Sequence, residues 1–284
     1  MKPDSELISL ITLMDDPDSI VRKAVRDRLI ERGQETVELI ERQYLPGSPE
    51  DKRELYLSFL DEVKADIATG KLISLIESPQ PMLDLGLYYV TRVADTTADE
   101  LLYFTALEAL SEEISIEIGE DKTSIESVKI FNYLFFNRFN FHHTDVQMQQ
   151  SESALIDRVL LSRGGNPVAI SLVYFLLSRS VGLPIYPLCF PGGFVPVYLD
   201  NEGKIIFYLN IFKQGSIFLE ETLMQFFEDI GMVYNPESLK IEEERALVAI
   251  YAELLGYIYK SEENFQVVSR MEKIFTLFEG RRFL

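Results

Sequence analysis

The chain has 284 residues, of which 47% are apolar and 12% aromatic, a composition typical of a globular protein with a buried core. Its 46 acidic and 27 basic residues give a formal charge of -19, which repels phosphate backbones and anionic lipids, so we expect neither nucleic acid nor a membrane as partner. One cysteine and two histidines exclude an internal disulfide and a thiolate or multi-histidine zinc site, and we expect no metal and no cofactor.

The N-terminal sequence MKPDSELISL carries acidic residues where a signal peptide needs an apolar stretch, so we expect a cytoplasmic protein. The longest uncharged segment, 182–199, contains four prolines and three glycines. These residues are incompatible with a helix that spans a bilayer.

Apolar residues recur mainly at helical spacing between residues 5 and 118, which predicts a succession of short helices. The clearest unit is DDPDSIVRKAVRDRLIERG, in which Asp16 is the predicted N-cap and Pro17 the first helical residue. Its predicted apolar stripe consists of Ile20, Val21, Ala24, Val25 and Leu29. The unit resembles one helix pair of a HEAT-type repeat, and because only one such unit is legible, an ordinary helical bundle is the alternative.

Two further helices are predicted at 97–118 and 121–140. The second ends in FNYLFFNRFNF, whose Phe131, Leu134, Phe135 and Arg138 share one face, and this aromatic stripe is expected in the core. The following sequence, HHTDVQMQQSES, is polar and is predicted to be irregular.

The strongest helix signal lies in RGGNPVAISLVYFLLSRSVGLPI, residues 163–185. Asn166 is a favoured N-cap and Pro167 a favoured first helical residue. The sequence from Val168 to Val181 is apolar on nearly every side, so this helix is expected to be buried between a sheet and other helices.

After this helix the apolar period changes from that of a helix to that of a strand. Strands are predicted at IYPLCF, FVPVYL and IIFYL, with DNEGK as a hairpin turn. Pro187 and Pro196 suggest edge positions or bulges. A helix then follows in SIFLEETLMQFFEDIG, and the final part contains two amphipathic helices around a break at 260–264 that resemble one helix pair of a tetratricopeptide-type repeat.

A buried helix whose N-terminus meets antiparallel strands is the arrangement of papain-like and transglutaminase-like enzymes. The run from ALIDRVLLSRGGNPVAISLVYFLLSRSVGLPI through FPGGFVPVYL to FYLNIFKQGSIFLEETL resembles the transglutaminase-like superfamily in its bacterial SirB-type branch. The resemblance covers about residues 85–280 and is most specific between 153 and 223.

The resemblance implies a mainly helical α+β fold, with a transglutaminase-like (papain-like) core in which a buried helix packs against a small antiparallel sheet. N-terminal helices and a C-terminal helix pair flank this core. We expect three parts: a helical region at 1–95, which is HEAT-like in the interpretation above, the core at 96–235, and a tetratricopeptide-like helix pair at 236–284.

By this resemblance, the catalytic positions of the superfamily are occupied by residues that lack the required chemistry. The nucleophilic cysteine falls on Pro167, which is also the usual residue of the SirB-type branch. The histidine falls on Gly193 of PGGF and the orienting aspartate on Asn210 of LNIF. Because a cysteine–histidine enzyme needs a thiolate and a base within hydrogen-bond reach, the inherited reaction is expected to be absent.

The first functional hypothesis is therefore a non-catalytic protein that binds a protein or peptide through its helical flanks or through the cleft left by the lost triad. The alternative is a hydrolase or acyltransferase whose nucleophile has moved to Cys189 or a serine, working with His142 or His143. The apolar neighbours of Cys189 favour a buried structural thiol, and the two histidines are expected at the surface or as caps.

A third hypothesis places a small anionic metabolite at the start of the buried helix, where backbone N–H groups are unpaired. Asn166 and Val168 belong to this helix start, and Arg163 is a candidate to assist or to hold the loop by bonding backbone carbonyls. The candidate cleft residues are thus Arg163, Asn166, Val168 and Cys189.

Overall fold

The computed structural model describes residues 5–78, 82–144 and 150–278, and helices dominate these residues. The chain continues in π-helical geometry after the third and seventh helices, at Ile40–Tyr44 and Tyr133–Arg138. The α-helices in chain order are α1 (Ser5–Thr12), α2 (Ser19–Glu31), α3 (Gln34–Leu39), α4 (Glu50–Glu77), α5 (Leu83–Ala94), α6 (Glu100–Ile118), α7 (Ser124–Asn132), α8 (Ile156–Ser162), α9 (Pro167–Ser180), α10 (Leu223–Asp229), α11 (Glu244–Ser261) and α12 (Phe265–Leu277).

The strands form a parallel pair and a five-stranded antiparallel sheet in the order β6–β5–β4–β3–β7. The parallel pair consists of β1 (His142–His143) and β2 (Gly164–Gly165). The larger sheet consists of β3 (Ile185–Phe190), β4 (Gly193–Leu199), β5 (Ile205–Asn210), β6 (Ser216–Phe218) and β7 (Lys240–Ile241). The three predicted strands correspond to β3, β4 and β5, and the Asp200 N–H donates to the Lys204 carbonyl over 2.9 Å in the predicted hairpin turn.

Helix α9 is the buried helix that the sequence predicts. Asn166 is its N-cap and Pro167 its first residue, as expected. Every residue from 169 to 178 is buried, because α9 packs against β3 on one side and α6, α8 and α11 on others. The predicted mainly helical α+β fold, with a buried helix on a small antiparallel sheet, is confirmed.

The edge positions suggested for the two prolines are wrong. Pro187 and Pro196 lie directly opposite each other on β3 and β4, which are interior strands of the sheet. Each proline falls just outside the ladder to its other neighbour, since β3 pairs with β7 from Leu188 and β4 with β5 from Val197. The missing N–H groups therefore interrupt no ladder hydrogen bond, and interior positions tolerate both residues.

The start of α2 also differs from its prediction. Asp18 rather than Asp16 is the N-cap, and its side chain accepts a 2.8 Å hydrogen bond from the Ile20 N–H. Asp16 instead accepts from the Asp18 N–H over 2.8 Å, so it shapes the turn before the helix. Val25 and Leu29 of the predicted stripe are buried, whereas Ile20 and Ala24 are exposed, so the buried face of α2 is narrower than predicted.

Buried apolar side chains form three clusters. The first cluster lies among α1 to α4, and the largest joins α4 to α9, α11, α12 and one face of the sheet. The third lies between the other face of the sheet and α10. Phe131, Leu134 and Phe135 belong to the largest cluster, as predicted. The division of the chain at residues 95 and 235 stays a prediction. Helices from both predicted flanking parts contribute residues to the largest cluster.

Across residues 5–78, 82–144 and 150–278, the helices lack the combination of length and apolar character that crossing a bilayer requires.

Candidate functional site

An apolar cleft lies where the first turn of α9 meets the β3–β4 hairpin. It is lined by Pro167 and Val168 of the helix and by Phe190 and Gly193 of the hairpin, and its volume is about 230 Å³. The structure therefore brings together two of the three positions at which the superfamily resemblance places catalytic groups. Val168, a candidate binding residue, contributes to the same cleft.

A residue that follows β5, a residue of α10 and two residues just after α10 complete the cleft. Phe212, Phe226, Ile230 and Met232 contribute to its lining. Phe212 is 59% exposed, so it forms part of the rim, whereas Phe226 is buried. Local sequence patterns did not predict these four residues as part of a site. The available signal was only the position of Phe212 two residues after Asn210 in LNIF.

The described side chains that line the cleft carry no charge. Ser171 is the polar one among them, and its hydroxyl donates to the Pro167 carbonyl over 2.8 Å. The Val168 N–H donates to Asn166 Oδ1 over 2.8 Å, so this N–H of the first turn is already bonded. An anion in the cleft would meet apolar side chains and no described cationic lining residue.

Asn210, the third inherited position, is used structurally. Its side-chain oxygen accepts from the Lys213 N–H over 3.2 Å and its carbonyl from the Gly215 N–H over 2.9 Å. These bonds close the turn Ile211–Lys213, which contains Phe212. Asn210 is not among the described residues that line the cleft. It affects the cleft indirectly, because the turn that it closes holds Phe212 in place.

A family profile described as the transglutaminase-like superfamily matches residues 102–252, which is more than half of the chain. The chain belongs to the transglutaminase-like superfamily. The match contains α9, β3, β4 and β5 and thus the Pro167, Gly193 and Asn210 positions.

Among curated proteins, human F-box only protein 21 is 28% identical over 105 residues, which are 35% of this chain and 17% of that protein. A UPF0162 protein of Pasteurella multocida is 24% identical over 162 residues, 55% of this chain and 60% of the relative. A UPF0162 protein of Vibrio cholerae is 28% identical over 117 residues, 41% and 43% of the two chains. The match thus spans less than two thirds of each relative's length. No solved structure matches the chain.

Cys189 of this transglutaminase-like core lies in the largest of the three apolar clusters rather than in the cleft. It is 4% exposed, and it faces Phe194 on β4 and Lys240 on β7 across the ladders. Burial, together with the negative charge of Glu242, raises the pKa of the thiol to about 12. At neutral pH the group is therefore a thiol, and the nucleophilic form is the thiolate.

The two histidines form β1 beside the start of α9. The His142 ring nitrogen Nδ1 lies 2.8 Å from the Asn140 carbonyl, and the strand pairs with Gly164 and Gly165. The His143 ring lies 5.4 Å from the ring of Phe212, measured between centroids. His143 thus supports a rim residue of the cleft from outside its lining.

Arg163 ends α8 in a left-handed conformation, with φ of 67°. Its guanidinium donates to the Leu160 carbonyl and lies 5.0 Å from the ring centroid of Phe141. Burial lowers the pKa of this side chain. These contacts hold the loop before α9, and Arg163 is not one of the described lining residues of the cleft.

The side chains that line the cleft determine which chemistry the site can perform. Pro167 and Gly193 provide neither a thiol nor an imidazole, and the lining provides apolar surface. Within the described ranges, no group of three or more His, Cys, Asp or Glu side chains is placed so that it could hold a metal ion. The arrangement can accommodate an apolar group, and a nucleophile with an adjacent base is not found among the described lining residues.

Proposed function

We propose that this chain is a non-catalytic transglutaminase-like protein of the SirB-type branch, which binds a protein or peptide through the cleft at the start of α9. One observation carries the proposal: Pro167 and Gly193 line a single apolar cleft of about 230 Å³. Apolar concavities with exposed apolar rims are typical of binding sites, and the exposed Phe212 lies on this rim.

The competing hypothesis is a hydrolase or acyltransferase that uses Cys189 as a relocated nucleophile. The burial of Cys189 and the raised pKa of its thiol argue against this role, because attack on a carbonyl requires a thiolate that can reach the substrate. A small anion at the start of α9 gains little support, since the described lining residues include no cation.

The helical flanks are proposed to frame the cleft, with a HEAT-like region at 1–95 and a tetratricopeptide-like pair at 236–284 around the core at 96–235. We further propose a cytoplasmic protein. Helical repeats commonly present binding surfaces, so the flanks are the second place where a partner of this protein is expected to bind.

The test separates the cleft from a flank. Purified wild-type protein, Phe212→Asp and Phe265→Asp are compared as baits in extracts of the native organism. Phe212 and Phe265 are 59% and 66% exposed, so both variants place a charge on a comparable surface aromatic. Phe212→Asp is expected to lose the specific partners while Phe265→Asp, on α12, retains them. The reverse pattern would place binding on the C-terminal flank.

A second measurement addresses catalysis directly. Wild-type protein is incubated with glutamine-containing peptides and a fluorescent primary amine, and with p-nitroanilide substrates. Neither cross-linking nor hydrolysis above background is expected. Activity that disappears when Pro167, Gly193 or Asn210 is replaced would refute the non-catalytic function.

A further inference from the structure

The segment that follows β5 and supplies part of the cleft lining contains many exposed apolar side chains. Five large ones lie between residues 212 and 233, all at least 39% exposed: Phe212, Leu219, Met224, Ile230 and Val233. Two of them, Phe212 and Ile230, line the cleft itself. Exposed apolar side chains that line a concavity, as these two do, are typical of an interaction surface.

The size of the cleft limits what enters it. An apolar cavity of about 150 Å³ is large enough for benzene, and pockets for drug-sized ligands begin at about 300 Å³. At about 230 Å³, the cleft has room for one aromatic or large aliphatic side chain. The rest of a bound peptide would therefore lie over the rim.

One wall of the cleft comes from an acidic stretch of the chain. Residues 219–232, LEETLMQFFEDIGM, contain four acidic residues and no basic one, and they contribute Phe226, Ile230 and Met232 to the cleft. The α9 turn and the hairpin residues 190–194 are uncharged. Lys213 is the cation next to Phe212, and its Nζ lies 3.3 Å from Asp229 Oδ2, so an acidic side chain already neutralises it.

Resting on the proposed function, we propose that the cleft binds a peptide segment of a partner protein in which one large apolar side chain, such as Phe or Leu, is flanked by Lys or Arg. The apolar side chain fills the cleft between Pro167, Gly193 and Phe226. The basic flanks lie over Glu220, Glu221 and Glu228. The chain's charge of -19 adds a long-range attraction for such a segment and repels an acidic one.

The test uses three synthetic peptides that differ in one property each: KKGFGKK, its charge-reversed form EEGFGEE, and KKGSGKK without the apolar side chain. Binding is measured by fluorescence polarisation at about 50 mM and about 500 mM salt, because exposed ion pairs are screened over this range. KKGFGKK is expected to bind most tightly and to weaken with salt. Loss of the Phe should weaken binding by at least about tenfold.

Two charge variants provide a matched comparison. Glu220→Gln/Glu221→Gln/Glu228→Gln neutralises the rim, while Glu108→Gln/Glu112→Gln/Glu120→Gln removes three exposed acids from α6 and the turn after it. Both change the net charge equally. Exposed pairs contribute about twofold each, so the rim variant should weaken KKGFGKK binding by about eightfold, and the α6 variant by less than about twofold.

The outcomes separate the inference from the proposed function. If EEGFGEE binds as tightly as KKGFGKK, or both triple variants weaken binding equally, the basic-peptide inference is overturned. A loss of partners in Phe212→Asp would still support the proposed function in that case. If Phe212→Asp captures all partners unchanged, the proposed function itself fails.

Two further measurements test whether something other than a partner protein occupies the cleft. A variant that ends at residue 278 removes the chain's own RRFL sequence at 281–284, which has the same chemistry as the probe. Tighter binding of KKGFGKK to that variant would assign the cleft to this segment and overturn the proposal of a partner. Dimerisation that Phe212→Asp abolishes would assign the cleft to a second copy and would also overturn it.

Discussion

Tyr174 Oη donates a hydrogen bond to Asn132 Oδ1 over 2.6 Å and joins the buried helix α9 to the C-terminal end of α7. Asn132 Nδ2 in turn donates to the Gly215 carbonyl over 2.6 Å. The Gly215 N–H donates to the Asn210 carbonyl, which closes the turn that carries Phe212. A rim residue of the cleft is therefore positioned by a tyrosine in the core.

Gly215→Ala is expected to disrupt this chain of contacts. Gly215 has φ of +69°, and a Cβ atom there would come within 2.2 Å of Asn132 Oδ1. Backbone strain and the displaced hydrogen bonds together should lower the free energy of unfolding by about 3 kcal/mol. Urea denaturation measures this loss.

Gly203→Ala is the control for Gly215→Ala. Gly203 also has a positive φ, of +80°, but an added Cβ would meet no atom within 4 Å. Only backbone strain should act there, at about 1 kcal/mol. Equal losses in the two variants would show that the Asn132 contact has no energetic role.

Glu244 joins three helices and is expected to be important for stability. Its Oε2 lies 3.2 Å from the N–H groups of Met82 and Leu83 at the start of α5, and its Oε1 lies 3.1 Å from Arg179 Nε of α9. Glu244→Ala leaves both N–H groups without this acceptor and should cost about 2 kcal/mol by thermal or urea unfolding. The neighbouring, exposed Glu243→Ala should change stability by less than about 0.5 kcal/mol.

Cys189 should react slowly in the native protein. Burial raises the pKa of the thiol to about 12, so alkylation by iodoacetamide at neutral pH should be much slower in native protein than in guanidinium chloride. Equally fast reaction in the two states would revive the relocated-nucleophile hypothesis.

The same thiol makes stability depend on pH. Its pKa is raised in the folded state, so its stabilising contribution is complete below the unfolded pKa of about 8.5 and is lost as pH rises toward about 12. Relative to Cys189→Ala, wild-type protein should lose about 2 kcal/mol between pH 8 and pH 10. A constant difference between the two proteins over this range would contradict the buried, protonated thiol.

Restoring two inherited groups tests the geometry of the cleft. In Pro167→Cys/Gly193→His the imidazole should lower the pKa of the introduced thiol and accelerate its alkylation at pH 7 about tenfold over Pro167→Cys alone. Pro167→Cys/Ile206→His, with the imidazole at an exposed position of β5, serves as control. Similar rates in the two double variants would mean that positions 167 and 193 do not lie within reach of each other.

Local signals in the sequence were enough to predict the main elements of the core. Asn166 and Pro167 start α9 because a side-chain cap and a missing N–H suit a helix N-terminus wherever it lies. The alternating runs became β3 to β5 because their period of two residues matches a pleated strand. The edge positions suggested for Pro187 and Pro196 were wrong because strand order depends on pairing between distant segments.

The same contrast holds for the site. The resemblance identified Pro167 and Gly193, and the structure brings both to one cleft. The sequence did not indicate that Phe226, Ile230 and Met232 would join them, because α10 reaches the hairpin only when it packs on the outer face of the sheet. The apolar neighbours of Cys189 correctly predicted a buried thiol. Which face of β3 it lies on depends on the neighbouring layers, because a strand has two faces.

The sequence by itself therefore determined the buried helix α9, the strands β3 to β5 and the absence of a thiol and an imidazole at the inherited positions, since these depend on residue identity and short-range spacing. Only the tertiary structure decided that Pro167, Gly193 and Phe212 line one apolar cleft, that Asn210 supports its rim and that Cys189 lies outside the cleft. Packing between segments far apart in the chain sets these relationships, and such packing leaves no local pattern in the sequence.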